Sequence, residues 1–249
     1  MNRWRPWVLA GILAARGAGA SAAVGDAPAV TPAAPAAEDG VALAIVYDTS
    51  GSMGDSVRNA SGQNEAKHRI AARALGAVVT RLEQFAAPAT NRPRPRLSVA
   101  VYSFRKGSPA VAVPMQTFDP AKLRAWLASA PKPDGNTPLG ESLVQAAQAL
   151  QAAHLSRRHI LVITDGINTT GRDPAQVLPA LLKPPPSGPA RVDVHFVAFD
   201  VAAAVFKPLK DLGATVVGAG DERQLNEQLI FILQQKILLE DEEPAPRAP

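Results

Sequence analysis

The chain has 249 residues, of which 47% are hydrophobic but only 5% aromatic, so Ala, Val, Leu and Ile must build a core of ordinary single-domain size. Arg3, Arg5 and Arg16 hold much of the formal net charge of +4; the other basic residues nearly balance the 22 acidic ones, and no basic stripe interleaved with aromatics argues for nucleic-acid binding. The absence of cysteine excludes disulfides, thiolate metal sites and thiol catalysis.

Residues 1–22 read as a secretory signal peptide. Met1 to Pro6 carries two arginines, Trp7 to Ala15 is a short apolar run, and Ala20-Ser21-Ala22 fits a small-residue cleavage site. The apolar run falls well short of the ~20 residues that span a bilayer, so the mature chain is expected to have no membrane span and to be periplasmic or secreted. Residues 23–40 are an Ala/Pro-rich stretch without apolar period, expected to be a linker. A domain is expected over 41–240, followed by an acidic, then Pro-rich, disordered tail over 241–249.

Strands and helices alternate within the domain. Val41 to Tyr47 is an almost continuous apolar run, as in a strand covered on both faces. Asn64 to Phe85 reads as a helix, with Ile70, Ala74, Val78 and Leu82 on one face. Leu97 to Phe104 is a second strand and Val111 to Phe118 a third, whose Pro114 suits a sheet edge. Asp119-Pro120 caps and opens a short helix. Leu139 to Leu155 is a helix with Leu143, Ala147, Leu150 and His154 toward one side, and His159 to Thr164 is a buried strand. Asp173-Pro174 opens another helix. Arg191 to Phe199 is a strand, Ala202 to Leu212 a helix, Ala214 to Val217 a short strand and Glu222 to Leu239 a final amphipathic helix. Helical crossovers between apolar strands predict a doubly wound, mostly parallel six-stranded sheet with helices on both faces, Rossmann-like in class. The connection between the second and third strands is too short for a crossover, so that pair must be antiparallel and end at one edge.

In such sheets ligands bind at the carboxyl ends of the strands. Three oxygen-rich loops fall there or at helix starts: Asp48-Thr49-Ser50-Gly51-Ser52-Met53-Gly54, Gly135-Asn136-Thr137-Pro138 and Thr164-Asp165-Gly166. None offers a thiolate, so a hard divalent cation suits them: Mg²⁺ first, Mn²⁺ or Ca²⁺ as alternatives. Asp48 and Asp165 would supply charge, Ser50, Ser52 and Thr137 neutral hydroxyls, and Gly51 and Gly54 a tight turn around the ion. The same residues also fit plain turns, and Thr137-Pro138 fits a helix cap. Met53, Asn136 and Gly166 flank the site as candidate partner contacts, although Met53 equally fits loop packing and Asn136 a turn. His68, His154, His159 and His195 sit on separate elements, which argues against zinc.

At Asp48, Ser50, Ser52, Thr137 and Asp165 the sequence resembles the von Willebrand factor type A family, whose metal-ion-dependent adhesion site joins an Asp-x-Ser-x-Ser loop, a distant Thr and a distant Asp. The resemblance spans about Val41 to Leu239. It implies direct ligation by the two Ser hydroxyls, ligation by the Thr and second Asp directly or through water, and one open position for an acidic side chain of a partner protein. It also implies that the last helix shifts when the site changes state. The expected function is thus an extracytoplasmic metal-dependent protein-binding module rather than an enzyme. A metal-dependent hydrolase and a scaffold with a purely structural metal are the alternatives. Hydrolysis would need a base or nucleophile, and the three loops hold no Glu, His or Lys.

Overall fold

The computed structural model describes residues 37–88, 95–184 and 190–239. The expected signal peptide, most of the expected linker and the expected tail lie outside the described residues. Within them, the first strand is longer than its apolar run: β1 covers Glu38–Tyr47 and takes in the last residues assigned to the linker. It is followed by a short antiparallel hairpin, β2 (Ser56–Arg58) and β3 (Asn64–Ala66), and then by α1 (Lys67–Ala86). The expected helix start at Asn64 is therefore corrected, because residues 64–66 spend their backbone groups on pairing with β2.

Next come β4 (Leu97–Arg105), β5 (Ser108–Thr117), α2 (Pro120–Ala128), α3 (Leu139–Ala152) and β6 (Leu155–Thr164). The β4–β5 connection is the two-residue turn Lys106-Gly107, with φ of 51° and 73°. Two successive positive φ values match the twist of an antiparallel hairpin. His154 lies beyond α3 at φ 53° and is exposed, so it does not continue the helix's apolar side. The chain ends with α4 (Pro174–Leu182), β7 (Asp193–Phe199), a 3-10 turn into α5 (Lys207–Asp211), β8 (Thr215–Ala219) and α6 (Glu222–Ile232). Beyond Ile232 the expected last helix widens into a π-turn, Leu233–Ile237.

The main sheet has the order β5-β4-β1-β6-β7-β8. All its pairs are parallel except β4–β5, which puts the one antiparallel strand at the edge. Pro114 sits where the β4–β5 register slips, and so interrupts no regular ladder. At the other edge β8 is only five residues long.

Period-two alternation splits the core into two layers. Val41, Leu43, Ile45 and Tyr47 of β1 face α1, α2 and α6; Ala42, Ala44 and Val46 face α3, α4 and α5. The expected stripe of α1, Ile70, Ala74, Val78 and Leu82, is fully buried in the first layer. Burial of every residue from Val41 to Tyr47 makes β1 the rigid centre of the sheet, and its C-terminal end carries the first site residue.

Candidate metal centre

The five expected ligands all lie at the C-terminal rim of the sheet. Asp48 follows β1, Asp165 follows β6, Thr137 precedes α3, and Ser50 and Ser52 lead into a 3-10 turn at Gly51–Gly54. Backbone bonds lace the three loops together. Gly51 N–H donates to Gly135 O at 3.0 Å and Asp134 N–H to Thr49 O at 2.9 Å. Thr137 N–H donates to the Thr169 hydroxyl at 2.8 Å, and Thr169 N–H returns to Thr137 O at 3.0 Å. The Thr49 hydroxyl donates to Phe104 O at 2.9 Å and accepts from Phe104 N–H at 2.8 Å, tying the first loop to the end of β4.

The tight approach falls at glycines other than those expected. Gly51 and Gly54 do not adopt a positive φ, and added Cβ atoms there would meet only ordinary contacts. Gly135 has φ 76° and would place a Cβ 3.1 Å from Gly107 N, so this loop needs glycine to pack beneath the β4–β5 turn.

The side chains form a chain of oxygens. Asp48 Oδ1 accepts from Ser50 N–H at 2.7 Å and Oδ2 from the Thr164 hydroxyl at 2.6 Å. Ser50 Oγ lies 3.2 Å from Ser52 Oγ, and Ser52 donates to Asp165 Oδ1 at 2.7 Å. The Thr137 hydroxyl, on a residue only 4% exposed, makes no hydrogen bond among the described residues. Burial pushes the Asp48 carboxyl up to about 6; the Ser50 and Thr164 hydrogen bonds pull it back, and the nearby Asp165 charge adds to the rise. The buried carboxylate at Asp48 is short of positive charge.

This donor set fits a hard divalent cation. Adjacent ligands on an ion with ~2.1 Å bonds stand ~3 Å apart, close to the Ser50–Ser52 spacing. Thr137 adds a hydroxyl that the described residues leave free. Among the described residues no three His, Cys, Asp or Glu side chains converge as a metal cluster, so an ion held here would draw much of its coordination from hydroxyls.

Three site features were not legible as such in the sequence. The first is Lys67, the opening residue of α1, whose Nζ lies 3.1 Å from Asp165 Oδ2 and 3.0 Å from Asp200 Oδ2. Burial pulls its ammonium down, but hydrogen bonds and charge from Asp200 and Asp165 outweigh this and hold it above its ordinary value. The second is Asp200 itself, which follows β7 at φ 52°. The third is Thr164, whose hydroxyl fixes Asp48. Lys67 stood on the same helical face as Ile70 and Ala74, and a lysine on an apolar stripe was the available signal. For Asp200 the signal was an acid directly after an apolar strand.

The flanking candidates divide. Asn136 is exposed and Gly166 half-buried at the rim, but Met53 is fully buried in the core with Tyr47, Ile70 and Val57. Met53 is a packing residue, which corrects its assignment as a partner contact. Thr137 does not cap α3; the residue at that position is Pro138. Ile167, beside Asp165, is 53% exposed and replaces Met53 as the apolar rim residue.

A family model described as von Willebrand factor type A domain matches residues 43–168, just over half of the chain. No curated protein matches the sequence. Among solved structures, the PilB minor pilin from Streptococcus sanguinis is 16% identical with a TM-score of 0.61 over 79% of this chain and 61% of the pilin. A von Willebrand factor type A protein from Catenulispora acidiphila is 18% identical with a TM-score of 0.56, over 77% of this chain and 41% of that one. The pilus adhesin SpaC from Lactobacillus rhamnosus GG is 13% identical with a TM-score of 0.55, over 78% of this chain and 30% of the adhesin. At these identities the likeness is one of fold, and the chain spans less than two thirds of each of these three proteins.

Proposed function

Because this chain belongs to the von Willebrand factor type A domain family, we propose that it is an extracytoplasmic protein-binding module in which a divalent cation docks an Asp or Glu side chain of a partner protein. The observation that carries this reading is the convergence of Asp48, Ser50, Ser52, Thr137 and Asp165 from three laced loops onto one rim, with the Thr137 hydroxyl unpartnered among the described residues.

Each residue has a part. Ser50, Ser52 and Thr137 would hold the ion through neutral oxygens. Asp48 would support it from the floor, oriented by Thr164 and the Ser50 amide. Asp165 would add charge from β6 while accepting the Ser52 hydroxyl. A set with so few carboxylates leaves a divalent ion under-neutralised and drawn to an outside acid. Mg²⁺ suits the oxygen donors best, with Mn²⁺ and Ca²⁺ as alternatives. Exposed Asn136 and Ile167, with half-buried Gly166, would touch the partner around that acid. Binding rather than hydrolysis is supported by the lysine at the site: held between two carboxylates, Lys67 is a poor general base. Export is supported by the signal-peptide pattern of residues 1–22, and the resemblance in fold to a pilin and a pilus adhesin accords with a place outside the cytoplasm.

The test is Mg²⁺-dependent capture of a carboxylate ligand by the full chain. An immobilised acidic peptide should retain the wild type in Mg²⁺ and release it in chelator, and Asp48→Ala should show neither effect. Equal retention of wild type and Asp48→Ala would refute the metal-docking assignment.

A further inference from the structure

Resting on the metal-site reading above, we infer that Lys67 is a built-in counter-cation that competes with the metal for Asp165 and so makes the ion bind weakly until a partner carboxylate joins it. The geometry is specific. Asp165 has both carboxylate oxygens engaged, Oδ1 by the Ser52 hydroxyl and Oδ2 by the Lys67 ammonium. Ser52 can keep donating its proton while its oxygen binds an ion, so that contact is compatible with metal. The Lys67 contact is not neutral toward metal. It occupies one of the two oxygens and places a fixed positive charge beside the arriving one. At an effective dielectric of ~20, a unit charge several ångströms from a divalent ion weakens its binding by well over tenfold.

The fold has a reason to keep a lysine there. The Asp165 side chain is 0% exposed and Asp48 is buried beside it, so a site without an ion would hold close carboxylates with nothing to balance them. Lys67, itself 6% exposed, supplies that balance and leaves the loops assembled before any ion arrives. The β2–β3 hairpin brings it there: Lys67 N–H donates to Asp55 O at 2.9 Å, which sets the first turn of α1 directly behind the Ser52 loop. Asp200 divides the ammonium's attention. Its carboxylate is 38% exposed and shares Lys67 with Asp165, so it draws the lysine away from Asp165 and favours the metal.

Lys67 is thus a positioning residue acting through Asp165, and binding of ion and partner become mutually dependent. A carboxylate offered from outside offsets the charge that Lys67 adds, and by linkage the ion then raises the affinity for that carboxylate equally.

The experiment titrates Mg²⁺ into the full chain by calorimetry, with thermal melts in chelator alongside. Lys67→Met keeps the aliphatic stem and removes the charge. It should bind Mg²⁺ at least tenfold more tightly than wild type and melt at a lower temperature in chelator, because Asp165 is left unpaired. Asp200→Asn should bind Mg²⁺ several-fold more weakly with little change in its melt in chelator, and that loss should vanish when Lys67→Met is also present. A Lys67→Met protein with wild-type or weaker Mg²⁺ affinity overturns the inference while leaving the metal site standing. If neither wild type nor Lys67→Met responds to Mg²⁺, both the site reading and the inference fall. Should Lys67→Met not fold, Asp200→Asn decides alone: unchanged Mg²⁺ affinity overturns the inference.

Discussion

His159 of β6 and His195 of β7 face each other inside the sheet, with Nδ1 of the first 3.2 Å from Nε2 of the second and the rings stacked at 5.5 Å. Their outer nitrogens, His159 Nε2 and His195 Nδ1, are buried without a hydrogen-bond partner among the described residues. Burial pulls His159 down to about 4, with Asp193 pulling it back up and Arg157 adding to the fall. Burial likewise pulls His195 down to about 3, with His159 and Lys236 adding to the fall and Asp193 opposing it. The unfolded chain takes up these protons near the ordinary 6.5 and the folded chain does not. The pair's contribution to stability is therefore present above pH 6.5 and lost as pH falls from there toward 4. Chemical denaturation at pH 7 and pH 4.5 should differ by on the order of 5 kcal/mol from this source. Replacing both residues by Gln should flatten that part of the profile.

Thr137→Ala removes a hydroxyl that no group among the described residues uses. Stability in chelator should stay within about 1 kcal/mol of wild type, as expected where no hydrogen bond is lost. The rise in melting temperature on adding Mg²⁺ should shrink strongly, since a saturated site at 100 times its Kd is worth about 2.7 kcal/mol. A full Mg²⁺ response in this variant would remove Thr137 from the ligand set.

Met53 and Ile167 should behave oppositely. Met53→Ala opens a cavity in the layer shared with Tyr47 and Ile70 and should cost about 2–5 kcal/mol in urea denaturation. Ile167→Ser, at an exposed position, should leave stability within about 0.5 kcal/mol and reduce retention on an acidic ligand.

Gly140→Ala tests how the loops are held. An added Cβ would lie 2.0 Å from the carbonyl oxygen of Arg172, and backbone cannot yield as a side-chain tip does. The variant should lose at least about 1–3 kcal/mol and weaken Mg²⁺ binding as well, because the 165–173 segment would be pushed off α3. A melt unchanged from wild type would show that the segment moves freely.

Much of this was readable in advance because it rests on local pattern. The unbroken apolar run of β1 announced a strand covered on both faces, and the short link after Phe104 forced the antiparallel edge. The five oxygen donors could be gathered on one rim because the topology sends strand ends to one side. What escaped depended on non-local pairing. Residues 64–66 have no strand signature of their own; they pair because β2 lies opposite, and that pairing moves the helix start to Lys67. With the start placed at Asn64, Lys67 did not stand out as the opening residue of the helix or as the partner of Asp165. Met53 was ambiguous because the loop polarity around it hides that the 3-10 turn points its side chain inward.

The two sheet margins described above also limit how this molecule can meet others. The β5 margin is interrupted by Pro109 and Pro114 and by shifted register, and the β8 margin offers five residues. Short and proline-broken borders are poor templates for an incoming strand. Copies at high concentration should therefore resist zipping into cross-strand fibres, because backbone pairing along either flank is cut short.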